Sequence, residues 1–381
     1  MTNWITKALF LLFLGISSGK AENSIVVGAV VTQSGPQAQD AEGYRRGLLL
    51  WQEEVNAAGG LMGRSVDLRL LDDGSSAVRN GSLYQQLITD DRAELLIGPF
   101  GTAATLLAAA VAERSRRVLV NGAGPGGAVH KRAPRYVFQT GIPYKAYGPT
   151  ILQLLQTEGI TRVYVLARDD TASKEMAESL RTGASSEIEV YGADVLDFTP
   201  FVQKAQAAKA EAWIAFGGAR DAADMLRTFH RLRYAPRLFF VRGAADPKFI
   251  PMVGQDAEFT VTPIEYDPRL ATAGNDEFVK AFSAKWAAPP DLAAAEGYTA
   301  GTVLAAAVRR AGSLDQEKLR AALAAIELDT VLGRQKMNPA GGDQVAARPA
   351  LAQVRGGHYA ILGSGERPLP YPQWSERKVL K

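Results

Sequence analysis

The sequence predicts an α/β protein with two lobes. Short apolar runs alternate with helical stretches along most of the chain, as strands and helices do where a parallel sheet is covered on both faces. The chain has 381 residues, of which 47% are hydrophobic, and single cores tend to divide beyond about 250–300 residues. Alternation and length together therefore favour two α/β cores.

The first 21 residues have the pattern of an export signal. Positive charge from Lys7 and the amino terminus precedes the apolar run 8–16, which is too short to span a bilayer core of about 30 Å. Gly19 and Ala21 are the small residues expected before a cleavage site. We therefore expect residues 1–21 to be a signal peptide cleaved after about Ala21. An N-terminal anchor helix is the alternative.

Strands and helices are predicted to alternate as far as about residue 265. The predicted strands are 25–31, 66–71, 95–97, 118–120, 163–167, 188–191, 213–216, 238–241 and 259–262. Helical stretches between them include 75–90, 103–115, 145–159 and 221–232. Two or three alanine-rich helices are predicted next, at 276–286, 293–311 and 315–326, and a terminal hairpin is predicted from 351–355 and 358–362.

A helix, a glycine turn and a strand follow one another early in the chain. The turn reads Gly59-Gly60-Leu61-Met62-Gly63-Arg64 and leads into the alternating run 66–71. The next strand, 95–97, ends in a loop of small residues and threonines. This β-α-β unit resembles the solute-binding proteins of bacterial ABC importers, specifically the branched-chain amino acid, or leucine-binding, type. The resemblance extends from about residue 24 to residue 362.

The resemblance implies a type I periplasmic binding fold. In that fold, two doubly wound Rossmann-like lobes are joined by three crossovers, and the ligand lies in the cleft between them. The implied crossings fall near Gly141, near Tyr266 and at 333–343. The implied divisions are an N-terminal lobe of 22–141 plus 267–340, a C-terminal lobe of 142–266 plus 341–362, and a loosely held tail of 363–381.

The composition limits which cellular compartments and which classes of function are expected. The absence of cysteine excludes disulfides, thiolate metal sites and cysteine nucleophiles, and also a lipid-modified N-terminal cysteine. An exported binding protein without that anchor is retained only behind an outer membrane, so we expect a Gram-negative periplasm. Removing residues 1–21 takes two lysines from the 43 basic residues and leaves 41 against 40 acidic ones, which gives no basis for nucleic acid binding.

Motifs for catalysis and metal binding are missing from the sequence. The three histidines, His130, His230 and His358, are isolated and lack metal-ligand spacing. No Gly-x-Ser-x-Gly elbow and no Gly-x-x-x-x-Gly-Lys phosphate loop occurs. We therefore expect no enzyme activity, no metal and no cofactor.

The loop after the third predicted strand is the leading candidate for a ligand contact. In the resemblance, Thr102 occupies the position of a hydroxyl residue that, with the following backbone amide at Ala103, holds the ligand carboxylate; Gly101 precedes it. A helix that begins here would also direct free N–H groups at an anion. The alternative is that Thr102 is an N-cap. Asp40 occupies the place of an aromatic ligand contact, although a helix cap is favoured there.

The segment 121–127 contains Gly-x-Gly-x-x-Gly after a predicted strand, which is a weak dinucleotide fingerprint. Pro125 lies inside the motif, and no acidic residue follows until Glu158, so the expected ribose partner is missing. We reject the dinucleotide interpretation. The resemblance instead implies that this loop contacts the ligand through Gly122, Ala123 and residue 125, where proline has no hydroxyl to offer an ammonium group.

The second lobe departs from the amino acid type at three strand ends. The resemblance places Ser173 where a tyrosine is usual and Ala219, followed by Arg220, where an aromatic is usual. It places Arg242 where an acid pairs with the ligand ammonium. A guanidinium reverses that charge and favours a carboxylate; a one-residue slip that turns Arg242 to solvent is the alternative. Tyr144 is the aromatic candidate near the first crossing.

A basic bias lies between Glu113 and Glu158, where no acid occurs. A solvated basic face is the favoured interpretation, and a cleft that attracts anions is the alternative. The residues concerned are Arg114, Arg116, Arg117, Lys131, Arg132, Arg135 and Lys145.

These features predict the periplasmic substrate-binding component of an ABC importer. We expect a monomer that captures a small molecule by lobe closure and delivers it to the permease subunits. The family type favours a branched-chain amino acid, whereas the substitutions favour a small or aromatic carboxylate without an ammonium group. The alternative function is a ligand-sensing module of a regulatory system.

Overall fold

The computed structural model describes residues 24–181, 187–363 and 365–373. The predicted signal peptide lies outside the described residues. Helices and strands alternate along the described chain and form two α/β lobes, each built on its own sheet.

The strands are β1 (Ile25–Val30), β2 (Val66–Leu71), β3 (Leu95–Ile97), β4 (Leu119–Asn121), β5 (Val137–Gln139), β6 (Val163–Arg168), β7 (Ile188–Tyr191), β8 (Ala212–Phe216), β9 (Leu238–Val241), β10 (Val261–Ile264), β11 (Glu327–Thr330), β12 (Gly333–Lys336), β13 (Ala350–Arg355) and β14 (His358–Leu362). The helices are α1 (Ala38–Ala57), α2 (Asn80–Thr89), α3 (Thr102–Ser115), α4 (Tyr147–Glu158), α5 (Thr171–Glu178), α6 (Thr199–Ala207), α7 (Ala219–Leu232), α8 (Phe249–Val253), α9 (Asn275–Trp286), α10 (Leu292–Ala311) and α11 (Gln316–Ala324).

The first lobe contains a parallel sheet in the order β2-β1-β3-β4-β5. Helices α1, α10 and α11 cover one face of this sheet, and α2 and α3 cover the other. Helices α1 and α10 touch through their backbones, because a Cβ at Gly47 would overlap the carbonyl oxygen of Ala294 and a Cβ at Gly297 would overlap that of Tyr44. This close approach fixes residue 296 of α10 beside the first sheet.

The second lobe contains a sheet in the order β7-β6-β8-β9-β10-β13-β14. It is parallel from β7 to β10, and the hairpin β13-β14 adds two antiparallel strands. Apolar clusters lie on both faces. Trp213 is fully buried in one of them.

The chain passes between the two lobes three times. The first passage links β5 to α4, the second links β10 to α9, and the third links β12 to β13. The first and third run side by side, since the Gln139 N–H donates to the Gly342 carbonyl at 2.8 Å and Lys145 pairs with Asp343. The carboxyl ends of the parallel strands in both sheets therefore approach a common hinge.

Most predicted elements are confirmed, with shifts of a few residues at their ends. Strand β5 and the hairpin β11-β12 were not predicted. The expectation of a loose tail is wrong for 365–373. Tyr371 is buried against Phe239, with ring centroids 5.8 Å apart, and its N–H donates to the Arg237 carbonyl.

Among the described residues, no helix combines the length and the apolar character needed to cross a membrane.

Candidate ligand-binding cleft

Hydrogen bonds join the two lobes at the carboxyl ends of the strands. The N–H of Gly127, in the loop after β4, lies 2.9 and 3.0 Å from the two carboxylate oxygens of Glu175 on α5. At the same edge, His130 Nδ1 lies 2.6 Å from the carbonyl oxygen of Gly341. A cavity of about 330 Å³ lies beside these contacts. The strand-end loops of the two lobes therefore face one another across a cleft.

One wall of the cleft is the start of α3. Gly101, at φ 90°, occupies the N-cap and supplies no side-chain hydrogen bond, so Thr102 is the first helical residue and not the N-cap. Thr102 Oγ1 accepts from the Gly126 N–H at 3.1 Å, which leaves the hydroxyl proton of Thr102 free to donate. Ala103 is exposed. This wall presents backbone N–H groups and one hydroxyl.

The loop after β4 supports that wall from behind. Its Ala123 carbonyl accepts from the Gly101 N–H at 2.9 Å. Gly122 is buried, and a Cβ there would lie 2.9 Å from the Tyr44 ring and from the Glu296 carbonyl oxygen. Pro125 is partly exposed. A 3-10 turn follows this loop instead of an α-helix, so the phosphate-binding helix of a dinucleotide fold is missing at this point.

Asp40 lies apart from these loops. It is exposed in the first turn of α1, whose N-cap is Gln37, and no side chain caps that end. The predicted cap is therefore wrong, because the helix begins three residues earlier than the cap would require. Asp40 can stabilise α1 only through the favourable effect of an acid in a first helical turn.

Two arginines that follow strands of the second lobe are the candidates for the opposite wall. Arg242 begins a 3-10 turn at the end of β9 and is partly buried. Among the described residues no carboxylate lies within ion-pair distance of it. Arg220, at the start of α7, is 72% exposed, and its nearest carboxylate is Asp224 at 3.9 Å; Ala219 beside it is partly exposed. Arg242 is thus the less solvated of the two arginines.

Ser173 is buried and committed to its own helix. Its hydroxyl donates to Asp170 Oδ2 at 2.9 Å, and its N–H donates to Asp170 Oδ1 at 2.8 Å. Asp170 is the N-cap of α5. Ser173 therefore has no free hydroxyl proton for a ligand, because Asp170 already accepts it.

Tyr144 brings the two walls together at the first crossing. Burial, and then the nearby carboxylate of Glu265, raise the pKa of its hydroxyl to about 12, while the Arg242 guanidinium opposes this shift. The carboxylates of Glu296 and Glu175 also contribute to raising the pKa. Charged groups from both lobes therefore act on one phenol, with Arg242 among them.

Two acids at this point were not predicted, and we call Glu265 and Glu296 the hinge acids. Glu265 follows β10 on the second crossing, accepts a hydrogen bond from the Tyr147 hydroxyl, and has its pKa raised by burial to about 7. Glu296 lies on α10 and is 7% exposed. Burial, and then the charge of Glu265, raise the pKa of Glu296 well above its usual range.

A sequence signal for Glu296 existed. It is the only acid in the run Leu292–Ala311, which is otherwise alanine-rich and mostly buried. Acids are usually exposed to solvent, so a single acid on the buried side of such a helix indicates a special role. Glu265 carries a weaker signal, as an acid that directly follows the apolar run Val261–Ile264.

The basic bias of the segment 114–145 forms a mainly solvated face. Lys145 differs from the other basic residues of this face, because it forms an ion pair with Asp343 at the crossing. The exposed members are Arg114, Arg116, Lys131, Arg132, Arg135 and Lys145. Within the described ranges, no group of three or more His, Cys, Asp or Glu side chains is arranged to hold a metal ion.

Known proteins share the whole two-lobed arrangement. The chain is 25% identical over 354 residues to an amino acid binding protein of Pseudomonas aeruginosa, which covers 87% of this chain and 91% of that protein. An ABC transporter substrate-binding protein from Sphaerobacter thermophilus has a TM-score of 0.76 and 25% identity, and the match covers 91% of this chain and 98% of that one. An ABC transporter solute-binding protein from R. palustris, solved in complex with benzoate, has a TM-score of 0.69 and 21% identity, with 92% and 99% covered.

The match to a family is equally extensive. The periplasmic binding protein family model covers residues 24–358, which include all three crossings and both sheets apart from most of β14. The two lobes with three passages between them are the type I form of this fold, as the sequence predicted. The chain belongs to the periplasmic binding protein family.

Proposed function

We propose that this protein is the periplasmic substrate-binding component of an ABC importer and that it captures a small carboxylate. The family membership and the ABC transporter relatives support the transport role. Export is supported by the signal pattern of residues 1–21. The observation that carries the carboxylate is Arg242, which lacks an ion pair among the described residues and acts on Tyr144 at the cleft.

The two walls give a mechanism for capture. The first lobe offers the Thr102 hydroxyl and the free N–H groups at the start of α3, which suit a carboxylate oxygen. The second lobe offers the Arg242 guanidinium, which pairs with carboxylates through charge-assisted hydrogen bonds. A ligand that contacts both walls favours the closed arrangement of the lobes over the open one. The closed form then docks on the permease.

Two relatives narrow the class of ligand that we propose. One binds amino acids by its name, and another was solved with benzoate. A carboxylate is common to both. We therefore propose a branched-chain amino acid or a related small or aromatic carboxylate as the ligand.

A thermal-shift screen of the exported protein tests this function. A ligand that binds only the folded state raises the melting temperature by mass action. The panel contains α-amino acids, aliphatic acids and benzoates, with the methyl ester of each as the control that lacks the carboxylate charge. The proposal expects at least one carboxylate to raise the melting temperature while its ester does not. Equal shifts with acid and ester, or no shift with any carboxylate, would refute it.

A further inference from the structure

Helix α3 presents large apolar side chains to solvent. Leu106 and Leu107 are 40% and 37% exposed, and Arg114, two turns after Leu107, is exposed on the same side of the helix. The opposite side of α3 is buried against the first sheet. A helix that covers a sheet normally carries polar residues on its outer side. Exposed apolar side chains that adjoin one another commonly mark a surface that binds a protein or a membrane.

A third apolar side chain lies on a neighbouring turn. Val78 is 81% exposed in the 3-10 turn Ala77–Arg79, which packs against α3. This turn is held from inside the lobe, because Asn80 Nδ2 donates to Asp73 Oδ2 at 2.9 Å and to the Ala77 carbonyl at 3.2 Å. Asp73 and Asn80 are both buried. Val78 is therefore presented to solvent by a fixed turn.

The exposed charges around these apolar residues are all positive. The 3-10 turn Gly127–Val129 packs against the other flank of α3 and leads into a basic segment. The one acid of α3, Glu113, is partly buried, and its Oε1 accepts from the Tyr136 N–H at 2.6 Å. Among the described residues, none of the exposed basic residues of this region forms an ion pair. We define the α3 face as these basic residues and the three apolar ones, namely Arg79, Arg114, Lys131, Arg132, Val78, Leu106 and Leu107.

The distribution of charge on the α3 face selects its partner. A second copy of the chain would bring like charges together, which is unfavourable. The basic residues lie on both flanks of α3 and in its last turn, and this helix has 14 residues and is about 20 Å long. One acidic side chain cannot reach all of them. An anionic phospholipid surface offers many headgroups at once and also accepts apolar side chains.

We propose that the α3 face associates reversibly with an anionic phospholipid membrane. Val78, Leu106 and Leu107 insert among the headgroups, and the basic residues of the face attract the lipid phosphates. The inference rests on the proposed function, in which the protein works beside an importer embedded in the membrane. All parts of the α3 face belong to the first lobe, so the association leaves lobe closure free and concentrates the protein near its importer.

Co-sedimentation with vesicles tests the association. The exported protein is mixed with vesicles of equal parts phosphatidylcholine and phosphatidylglycerol, and separately with vesicles of phosphatidylcholine alone. We expect sedimentation with the anionic vesicles only, and release in about 1 M salt, where the Debye length falls to about 3 Å. Equal sedimentation with both kinds of vesicle, or none with the anionic vesicles, would overturn the inference.

Two double variants separate the charges from the apolar contacts. Arg79→Gln with Arg114→Gln should weaken vesicle binding about twentyfold, since each basic residue near an anionic surface contributes about fivefold. Val78→Ser with Leu106→Ser should weaken it about fivefold or more, because less apolar area leaves water on insertion. All four positions are exposed, so both variants should melt within about a degree of the wild type, as surface substitutions usually do.

Matched controls lie on other surfaces. Arg309→Gln changes an exposed arginine on α10, which covers the other face of the first sheet, and Leu196→Ser changes an exposed leucine of the second lobe. Both controls should bind anionic vesicles as the wild type does. Vesicle binding that survives both double variants, or that falls equally in the controls, would overturn the inference.

The outcomes separate this inference from the proposed function. The double variants should keep wild-type affinity for the carboxylate found in the screen, because the α3 face lies outside the two walls of the cleft. A protein that binds a carboxylate but no anionic vesicle would overturn the inference and leave the proposed function standing. A dimer in light scattering that the apolar double variant dissociates would assign the face to a second copy and would also overturn the inference. Failure of the carboxylate screen would contradict the proposed function whatever the vesicles show.

Discussion

The two walls of the cleft offer a ligand different kinds of group, mainly backbone in the first lobe and a charged side chain in the second. The first-lobe wall is a helix start that offers backbone N–H groups and the Thr102 hydroxyl, and it is fixed by a buried glycine loop. The second-lobe wall depends on the Arg242 side chain. Backbone groups cannot change sign by substitution, whereas one side-chain replacement can reverse the charge of the other wall. Ligand class should therefore be decided on the second lobe.

Arg242→Glu should have the largest effect on ligand binding. It places a carboxylate opposite the ligand carboxylate, and truncating one partner of a desolvated charge pair alone typically costs several kcal/mol. We expect an affinity loss of about 100-fold or more, measured by isothermal titration with the carboxylate identified in the screen. Lys209→Glu is the control, because this exposed lysine precedes β8 at the opposite end of the strands. Unchanged affinity in Arg242→Glu would remove this residue from the cleft.

Gly122→Ala should damage the first-lobe wall from behind. The added Cβ would lie 2.9 Å from both the Tyr44 ring and the Glu296 carbonyl oxygen, so the loop must move. We expect a loss of about 1–3 kcal/mol in the free energy of unfolding, together with weaker binding, measured by denaturation and titration. Gly81→Ala has open space around its Cβ and should stabilise α2 by about 0.5–1 kcal/mol. If both variants behave alike, the loop is not a rigid support.

The free energy of unfolding should fall as the pH rises through 7. Burial raises the pKa of Glu265 to about 7 and raises that of Glu296 well above its usual range, so these acids ionise less readily in the folded protein than in the unfolded chain. We expect a lower melting temperature at pH 8 than at pH 6.

Several neighbouring groups modulate this titration and set its control. The groups that act on the hinge acids or line the same cavity are Tyr44, Tyr144, Tyr147, Asp291, Arg334 and Arg348. The double variant Glu265→Gln with Glu296→Gln should reduce the difference between the melting temperatures at the two pH values. A wild-type melting temperature that is higher at pH 8 than at pH 6 would contradict this account of the two acids.

Thr102→Val should have a moderate effect. It removes the hydroxyl that accepts from the Gly126 N–H and that is free to donate to a ligand oxygen. Loss of one hydrogen bond to a charged group corresponds to about tenfold in affinity. Thr102→Ser keeps the hydroxyl and should retain wild-type binding in the same titration. A serine variant as weak as the valine variant would show that the methyl group, and not the hydroxyl, is required.

Glu175→Gln should have the smallest effect. It weakens the hydrogen bond from Gly127 that joins the lobes, and so shifts the population toward the open form. We expect an affinity loss of about threefold and a larger radius of gyration in solution scattering without ligand. Glu178→Gln, on the same helix but paired with Arg181 on the surface, should change neither quantity.

Elements set by local pattern were accessible from the sequence. The apolar runs that became β1 to β4 and β6 to β10 and the glycine turn before β2 were predicted with small shifts. The loop at Thr102 was placed because it follows a strand and resembles a family motif. Arg242 was singled out by comparing a strand end with that motif. These inferences needed only neighbours along the chain.

The remaining features depend on parts of the chain that are distant in sequence. Glu296 reaches the hinge because Gly47 and Gly297 allow α1 and α10 to touch, and Glu265 meets it across the second crossing. The proton of Ser173 is taken by Asp170, a local competition that the motif did not reveal. The charge of the cleft therefore could not be predicted from the strand-end loops alone.

A crystal structure of the exported protein with the carboxylate from the screen tests the two-wall account most directly. The account predicts one ligand carboxylate that contacts the Thr102 hydroxyl and an adjacent N–H from the first lobe, and the Arg242 guanidinium from the second. A carboxylate held by one lobe only, with Arg242 turned to solvent, would contradict it.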